Sequence, residues 1–246
     1  MDLKSIRWLI LDLETTGMDP EKDRPIEVGA AWVQDMKVVD TFSSFCDPEG
    51  VAIPPDASAI HHIIASDLEG APKFKEVLRD IDGRHKYDVI VAHNAPFDMR
   101  WIQPPSHIPV LDTLRLAQKL WPAAPNHKNQ TLRYMWGICL DPAERRGMAH
   151  SAAFDTRVTA GILIKGIEAL YERSKDPETL TLDKVQTWLK APQDLRDRPM
   201  KFGKHRGKTW AQVAIEDRSY LSWFLSPKCS MDKDLDQVHT AQLLMG

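Results

Sequence analysis

Two carboxylates separated by one residue follow an apolar run near the start of the chain. The run at 8–11 leads directly into Asp12, Leu13 and Glu14. Side chains alternate between the two faces of a strand, so Asp12 and Glu14 would point to one face. Burying two neighbouring negative charges is costly without a counter-charge, and a divalent cation such as Mg²⁺ or Mn²⁺ accepts hard oxygen ligands. The pair therefore indicates a metal site, although an isolated pair is more often an acidic strand end without a function.

Two further acidic elements lie later in the chain. The first, H-N-A-P-F-D, follows the apolar run at 89–92 and ends at Asp98, where its proline suits the first turn of a helix. The second, H-S-A-A-F-D, runs from His150 to Asp155. The side chains of His150 and Asp155 converge if Ser151 caps a helix and His150 lies on a mobile approach before it.

Together the four carboxylates form a ligand set for two divalent ions about 3.5–4 Å apart. They are Asp12, Glu14, Asp98 and Asp155. In such a site one ion lowers the pKa of a water molecule and the other stabilises the leaving oxygen. His150 is a natural general base, because the intrinsic pKa of histidine is about 6.5. The expected reaction is in-line hydrolysis of a phosphodiester, with two Mg²⁺ or Mn²⁺ ions as cofactors.

The hydrophobic pattern predicts the elements that carry these side chains. Strands are expected at 6–14, 25–33, 37–46 and 89–92. Helices are expected at 57–64, 74–83, 131–137, 151–173 and 180–189. The segment 110–120 is expected to begin as a strand and to end as a helix. Three strands followed by alternating strands and helices predict an α/β fold, with a mixed sheet flanked by helices.

The composition is that of an ordinary globular protein and excludes several classes. The chain has 246 residues, of which 43% are hydrophobic and 27% charged, and this length predicts one or two domains. An odd number of distant cysteines, without C-x-x-C, indicates neither a disulfide framework nor a zinc site. No apolar run suits a membrane span or a signal peptide, so we expect a cytoplasmic protein without a membrane partner. The net charge of −3 does not exclude a nucleic-acid substrate, because an acidic metal site contributes several of the negative charges.

A polar, proline-bounded segment at 191–199 precedes a compact tail at 200–246. Between Arg196 and Lys208, six Lys or Arg residues stand against one acid, Asp197. Basic side chains contact phosphates and exposed aromatic rings stack on bases, so we expect this tail to bind nucleic acid. The alternative is a solvated basic loop over a small aromatic core. That core would contain Phe202, Trp210, Tyr220, Trp223 and Phe224.

The order of the three acidic elements resembles the DEDD exonuclease superfamily, in the branch with a histidine before the last aspartate. The family pattern is D-x-E-T-T-G, H-N-x-x-F-D and H-x-x-x-x-D, and it is intact here from Asp12, His93 and His150. The resemblance implies a ribonuclease-H-like fold and 3′-to-5′ exonucleolysis that releases nucleoside 5′-monophosphates. It also implies that the four carboxylates bind metal and that His150 is the base.

The tail is similar to the small C-terminal module of the bacterial exonuclease X family. The similarity lies in K-F-G-K-H-R-G-K-T-W from Lys201 and in Y-L-S-W-F-L from Tyr220. We therefore expect an exonuclease domain at 1–175, a helical linker at 176–199 and the small module at 200–246.

Four residues near the acidic elements are candidates for contacts with the substrate. Thr15 would contact the 3′-terminal nucleotide through its backbone or hydroxyl. Met18 would stack on the terminal base or cover local core. His61 lies where the family often places a histidine near the substrate end, unless its helix is purely structural. Asn94 would orient the loop around Asp98 by hydrogen bonding or touch the substrate.

We expect a metal-dependent 3′-to-5′ DNA exonuclease that acts in repair or end processing. Its expected substrates are single-stranded DNA and duplex 3′ ends, and the sequence predicts no preference between them. One rival is an RNA-trimming exonuclease of the same fold, which a groove that contacts the 2′-OH would favour. Another is a proofreading subunit held on a polymerase, and the intact tail module argues against it. A third is a non-catalytic nucleic-acid-binding protein, which predicts lost carboxylates, whereas all four are present. The sequence does not predict the oligomeric state.

Overall fold

The computed structural model describes residues 2–141 and 150–246. The chain divides into two compact units, Met1–Gln186 and Thr187–Gly246. The division falls within the helix Leu182–Lys190. The domain limits expected from the sequence, after residue 175 and before residue 200, stay predictions.

Five strands of the described residues form one mixed sheet. They are β1 (Trp8–Thr15), β2 (Pro25–Gln34), β3 (Lys37–Phe45), β4 (Val89–Ala92) and β5 (Val110–Asp112). The order across the sheet is β3-β2-β1-β4-β5. β1 and β3 both run antiparallel to β2, whereas β4 is parallel to β1 and β5 is parallel to β4. The predicted α/β fold with a mixed sheet is confirmed.

β1 is central because its first half is apolar enough to be covered on both faces. Residues 8–11 are buried, and after them half-buried Asp12 and Glu14 alternate with buried residues. Asp12 lies opposite Gly29 on β2, and Glu14 lies opposite Glu27. Directly opposite residues of antiparallel strands project from the same face. One face of the sheet therefore carries two acidic residues on β1 beside a glycine and a third acid on β2.

Helices of the first unit cover both faces of this sheet. The described α-helices are α1 (Pro55–His61), α2 (Phe74–Arg84), α3 (Ala95–Ile102), α4 (Thr113–Leu120), α5 (Asn129–Trp136), α6 (Ala152–Arg173), α7 (Leu182–Lys190), α8 (Trp210–Glu216), α9 (Arg218–Leu225) and α10 (Leu235–Met245). The 22-residue α6 packs against β1 and β2. On the opposite face, Val77 and Ile81 of α2 join a core with Leu11 and Leu13. None of the described helices has the length and apolar character that crossing a membrane requires.

One predicted helix is shorter than the hydrophobic pattern indicates. His62 has a left-handed backbone with φ of 61°, and its N–H donates to the Ser58 carbonyl at 2.8 Å. The Ile63 N–H then donates to Nδ1 of His61 at 3.0 Å. These local bonds end α1 at His61, so the prediction of a helix over 57–64 is wrong at its C-terminal end.

Residues 187–246 include α8, α9 and α10 around a small aromatic core. Trp210, Tyr220 and Phe224 are buried, and Phe202 stacks on Phe224 with ring centroids 5.6 Å apart. Most of the predicted aromatic core is therefore present. Trp223 is the exception at 37% exposure, because it lies on the solvent side of α9 with the exposed Ser219 and Ser222.

Candidate active site

The carboxylates of Asp12 and Glu14 project from β1 into a partly buried acidic site. Burial and repulsion from Asp98, Asp155 and Glu14 hold the pKa of Asp12 well above its usual range. Burial raises the pKa of Glu14 to about 8, and repulsion from other acids, of which Glu27 contributes most, adds to this shift. Charge repulsion of this kind acts between groups that lie close together. The four predicted carboxylate ligands therefore share one site.

Asp98 reaches this site from the first turn of α3. The preceding β4 is buried along its whole length, and Asn94 turns the chain into the helix with a left-handed φ of 75°. The Leu13 N–H, between the two acids of β1, donates to Oδ1 of Asp98 at 3.2 Å. Asp98 is 3% exposed, and this burial raises its pKa to about 7.

A hydrogen-bonded loop holds the start of α3 in place. Nδ1 of His93 lies 2.9 Å from Oγ1 of Thr113, and Nε2 lies 2.8 Å from the His127 carbonyl. The backbone N–H of Asn94 donates to Oδ1 of Asp112 at 2.9 Å. These contacts favour the interpretation in which Asn94 orients the loop, through its backbone, over a direct contact with substrate.

Asp155 reaches the site from the first turn of α6. Nε2 of Gln130 donates to Oδ1 of Asp155 at 2.5 Å, and the His150 backbone N–H donates to Oδ2 at 3.3 Å. Nη1 of Arg133 donates to Oε1 of Gln130 at 3.0 Å. Burial raises the pKa of Asp155. Gln130 and Arg133 belong to no motif in the sequence, and their i, i+3 spacing on α5 is a weak signal for a shared role.

His150 lies on the chain just before α6, with an exposed side chain and a left-handed φ of 64°. One ring nitrogen of His150 and one carboxylate oxygen each of Glu14 and Asp155 lie within 4.8 Å of one another. The structure thus brings together the histidine and the last aspartate of the third acidic element. His150 lies on the chain before α6 as predicted, and the mobility of that approach stays a prediction.

The expected cap of α6 is replaced by a residue from the sheet. Ser151 stands at the N-cap position but makes no side-chain hydrogen bond to the helix, so the prediction that Ser151 caps α6 is wrong. Instead Oε2 of Glu27 accepts the Ala152 N–H at 3.1 Å, and Oγ of Ser151 donates to Oε1 of Glu27 at 3.4 Å. A carboxylate suits this place because negative charge is stabilised at a helix N-terminus. Burial raises the pKa of Glu27, and the hydrogen bonds from the helix oppose that shift.

The donor set of this site suits a hard divalent cation. Glu14, Asp155 and the His150 ring form a compact group, and Asp12 and Asp98 add two further carboxylates whose pKa values are raised. In the absence of a cation these acids relieve their repulsion by taking up protons. Carboxylate oxygens are the ligands that Mg²⁺ and Mn²⁺ prefer. The residues therefore fit a divalent metal.

Two of the predicted substrate contacts lie on the turn after β1. Met18 is 67% exposed, and its carbonyl accepts a hydrogen bond from Nη1 of Arg100 at 3.1 Å. Thr15 is buried, and its hydroxyl donates to the Gly17 carbonyl at 2.6 Å. The Thr15 hydroxyl thus closes the turn, while the Met18 side chain is open to a ligand.

His61 is 7% exposed at the end of α1. Its ring Nδ1 accepts the Ile63 N–H at 3.0 Å, which fixes the ring locally. Burial lowers the pKa of His61, and the nearby His62 and His150 contribute to this shift. His61 therefore has a structural role in α1 and also lies close to the acidic site.

Sequence comparisons relate both parts of the chain to known families. The profile of the family described as Exonuclease matches residues 9–163, a range that includes the four acids and His150. The profile described as Exodeoxyribonuclease X-like C-terminal matches residues 200–226.

Individual relatives match part of the chain. The epsilon subunit of DNA polymerase III from Treponema pallidum is 36% identical over 151 residues, which cover 57% of this chain and 69% of the subunit. The PolC-type DNA polymerase III of Caldanaerobacter subterraneus is 34% identical over 172 residues, which cover 67% of this chain and 12% of the polymerase. This chain therefore spans a small part of the PolC-type relative.

A solved structure with a similar fold is Exonuclease X in complex with 5′ overhanging duplex DNA. The two folds superpose with a TM-score of 0.55 at 28% sequence identity, and the match covers 65% of this chain and 91% of the other.

Proposed function

We propose that this chain, which belongs to the exonuclease family and is a 3′-to-5′ exonuclease, hydrolyses phosphodiesters at the 3′ ends of DNA and releases nucleoside 5′-monophosphates. One observation carries the proposal. Acidic side chains from three separate elements, β1, α3 and α6, meet beside His150. Metal-dependent phosphodiester hydrolysis uses such acids to hold cations and a base to accept a proton from water.

DNA is the proposed substrate because similar proteins are associated with DNA. The Treponema protein is a subunit of a DNA polymerase, and the Exonuclease X structure contains duplex DNA. We propose single-stranded DNA and duplex 3′ ends as substrates, with DNA repair or end processing as the role. RNA trimming uses the same chemistry and differs in recognition of the 2′-hydroxyl, so RNA is an arm of the test.

Two Mg²⁺ or Mn²⁺ ions are the proposed cofactors, held by Asp12, Glu14, Asp98 and Asp155. Bound cations supply activation of the attacking water and stabilisation of charge on the leaving 3′ oxygen. The protein's part is to hold the carboxylates in position before the substrate arrives. The Leu13 N–H does this for Asp98 at 3.2 Å, and Gln130 does it for Asp155.

His150 is the proposed general base, and its ring accepts the proton of the attacking water. Its side chain is exposed, so it can pass that proton to solvent after each turnover. We also propose that the open Met18 side chain stacks on the terminal base. The Thr15 backbone is the proposed contact for the terminal nucleotide, since the Thr15 hydroxyl is bonded to Gly17.

The test uses purified full-length protein and 5′-labelled oligonucleotides. Single-stranded DNA, blunt duplex DNA and RNA of the same sequence are each incubated with Mg²⁺ and with EDTA. The Asp12→Ala variant is compared with Asp40→Ala as a control. Asp40 is also an acid of the sheet, but it lies on β3 and pairs with His85 at 2.8 Å instead of belonging to the acidic site.

The expected result is a Mg²⁺-dependent ladder that shortens from the 3′ end of DNA. It should be absent for Asp12→Ala and normal for Asp40→Ala. Trimming of RNA alone would keep the mechanism and overturn the substrate. Tight binding without trimming of any substrate would favour a binding protein instead.

A further inference from the structure

Glu27 is a buried acid that the proposed ligand set does not use. It is 7% exposed on β2 and lies opposite Glu14 of β1. Placing a third carboxylate beside two others on one face adds repulsion and raises the pKa of Glu14. A buried acid in such a place requires a compensating interaction.

The compensating interaction is with the start of α6. Oε2 of Glu27 accepts the Ala152 N–H at 3.1 Å, and Oε1 accepts the Ser151 hydroxyl at 3.4 Å. The first N–H groups of a helix have no partner within the helix, and their positive end favours a carboxylate. Glu27 therefore ties α6 to the same strand pair that carries Asp12 and Glu14.

Gly29, two residues further along β2, makes this attachment sterically feasible. A Cβ atom at position 29 would lie 2.1 Å from the Ala152 carbonyl oxygen. Gly29 also lies opposite Asp12. The backbone at the start of α6 thus rests directly on β2, beside the two acids of β1.

Two residues of the proposed reaction depend on where α6 begins. Asp155 lies in the first turn of α6, and the His150 backbone N–H donates to Oδ2 of Asp155 at 3.3 Å. A shift of the helix start would therefore move both Asp155 and His150 relative to Glu14. Displacements of about 1 Å at a reacting centre cost about 100-fold in rate.

We propose that Glu27 is a positioning residue for hydrolysis: its carboxylate fixes the start of α6 on β2 and so holds Asp155 and His150 against Asp12 and Glu14. The inference rests on the proposed function, since it assigns Glu27 a part in that reaction. Glu27 acts here through its hydrogen bonds to the helix and not as a metal ligand.

The experiment compares Glu27→Gln, Glu27→Asp and Glu27→Ala in the full-length protein. Gln keeps the length of the side chain and one acceptor oxygen, whereas Asp keeps the charge and shortens the reach. The matched control is Glu76→Ala, because Glu76 also accepts a backbone N–H at a helix start, from Lys73 at 3.1 Å, but on α2 at the opposite face. The readouts are kcat and KM on single-stranded DNA, the metal concentration for half activity, the Tm, and hydrogen exchange at the amides of 152–155.

We expect kcat of folded Glu27→Ala to fall about 10- to 100-fold, the usual range for residues that orient metal ligands, with KM nearly unchanged. Glu27→Gln should retain most of kcat, and Glu27→Asp should lose more than Glu27→Gln does. Amides at 152–155 should exchange faster in Glu27→Ala. Glu76→Ala should have a lower Tm and a normal kcat. If Glu27→Ala does not fold, the inference is tested by whether Glu27→Gln has a higher kcat than Glu27→Asp.

Three outcomes would overturn the inference. They are normal kcat in folded Glu27→Ala, an Asp variant more active than the Gln variant, and equal losses in the Gln and Ala variants with a higher metal requirement. The last two would make Glu27 a charged ligand. A wild-type protein without nuclease activity would instead overturn the proposed function, so the two failures are distinguishable.

Discussion

Asp217 in the C-terminal unit and Asp12 in the first unit are both acids with several ionisable neighbours, but those neighbours differ in charge. Asp217 accepts Nζ of Lys204 at 2.7 Å and Nε2 of His205 at 2.9 Å. The bond from Lys204 is the main reason that the pKa of Asp217 lies below its usual range. The pKa of Asp12 is shifted the other way, because Asp12 is buried among acids.

The difference favours a structural role for Asp217 and the proposed catalytic site for Asp12. Asp217 caps α9 by accepting the Tyr220 N–H at 3.1 Å, and the ammonium group of Lys204 balances its charge. The charges that raise the pKa of Asp12 are those of other acids, and a buried group perturbed in this way is a candidate for a functional site. The overall charge follows the same division: 187–246 contains ten Lys and Arg residues and seven Asp and Glu residues, whereas acids outnumber bases in 1–186.

Replacing Asp12 or Asp217 with alanine should produce the largest difference between the two units in kcat and Tm. Asp12→Ala should lower kcat on the order of 1000-fold or more, because electrostatic stabilisation of the transition state is lost. Its Tm without metal should not fall, since the change relieves repulsion. Asp217→Ala should lower the Tm of the protein and leave kcat on a short oligonucleotide unchanged. Steady-state kinetics and thermal unfolding of both variants check this, and a Tm loss for Asp12→Ala with retained kcat would reverse the assignment.

Replacement of the base should have the next largest effect. We expect His150→Gln to lower kcat about 100- to 10,000-fold, the usual contribution of a general base. Because the His150 ring lies near Glu14 and Asp155, the same variant also tests whether His150 is a ligand. Mn²⁺ affinity measured by calorimetry should be unchanged if His150 is the base. A large loss of Mn²⁺ affinity would make His150 a ligand.

The metal-free site should make stability depend on pH. The pKa of Glu14 is raised from 4.5 to about 8, so the folded state holds a proton that the unfolded state has released. Stability from this group is full below pH 4.5 and is lost as the pH rises through about 8. In EDTA the Tm should therefore fall from pH 5 to pH 8, and Mg²⁺ should remove most of that fall. An equal fall with and without Mg²⁺ would contradict the metal assignment.

The smallest effect is expected from the basic C-terminal unit. Deletion of 196–246 should weaken binding to long DNA while sparing hydrolysis of the terminal nucleotide. The full-length variant Lys201→Gln with Arg206→Gln should lower the dependence of affinity on salt, because fewer counterions are released. Lys22→Gln with Lys165→Gln is a control of equal charge change in the first unit. Unchanged affinity of the deletion variant across a salt series would exclude a nucleic-acid role for this unit.

The sequence predicts those parts of the site that depend on local spacing. The alternation around Asp12 and Glu14 follows from strand geometry, and the position of Asp98 follows from a buried strand and a proline at the helix start. The parts that were wrong or missing depend on contacts between distant elements. Ser151 has the right residue type for a cap, yet Glu27 of β2 takes that role, and only the register of β1 and β2 brings Glu27 there.

The support from α5 is a second feature that local patterns do not predict. Gln130 donates a hydrogen bond to Asp155, which lies 25 residues further along the chain. No motif in the sequence connects the two residues. The same limit applies to Trp223, whose exposure depends on which side of α9 packs on the aromatic core. Hydrophobic patterns locate α6 well, but they do not define which side chain of the sheet holds its N-terminus.

The most direct test of the central claim is the fate of the oxygen atom from water during turnover. Single-stranded DNA is digested with Mg²⁺ in ¹⁸O-labelled water, and the released nucleotide is analysed by mass spectrometry. We predict nucleoside 5′-monophosphates with one ¹⁸O atom on phosphorus and a shortened strand that ends in a 3′-hydroxyl. Nucleoside 3′-monophosphates would contradict departure of the 3′ oxygen, and 5′-monophosphates without the label would contradict attack by water at this acidic site.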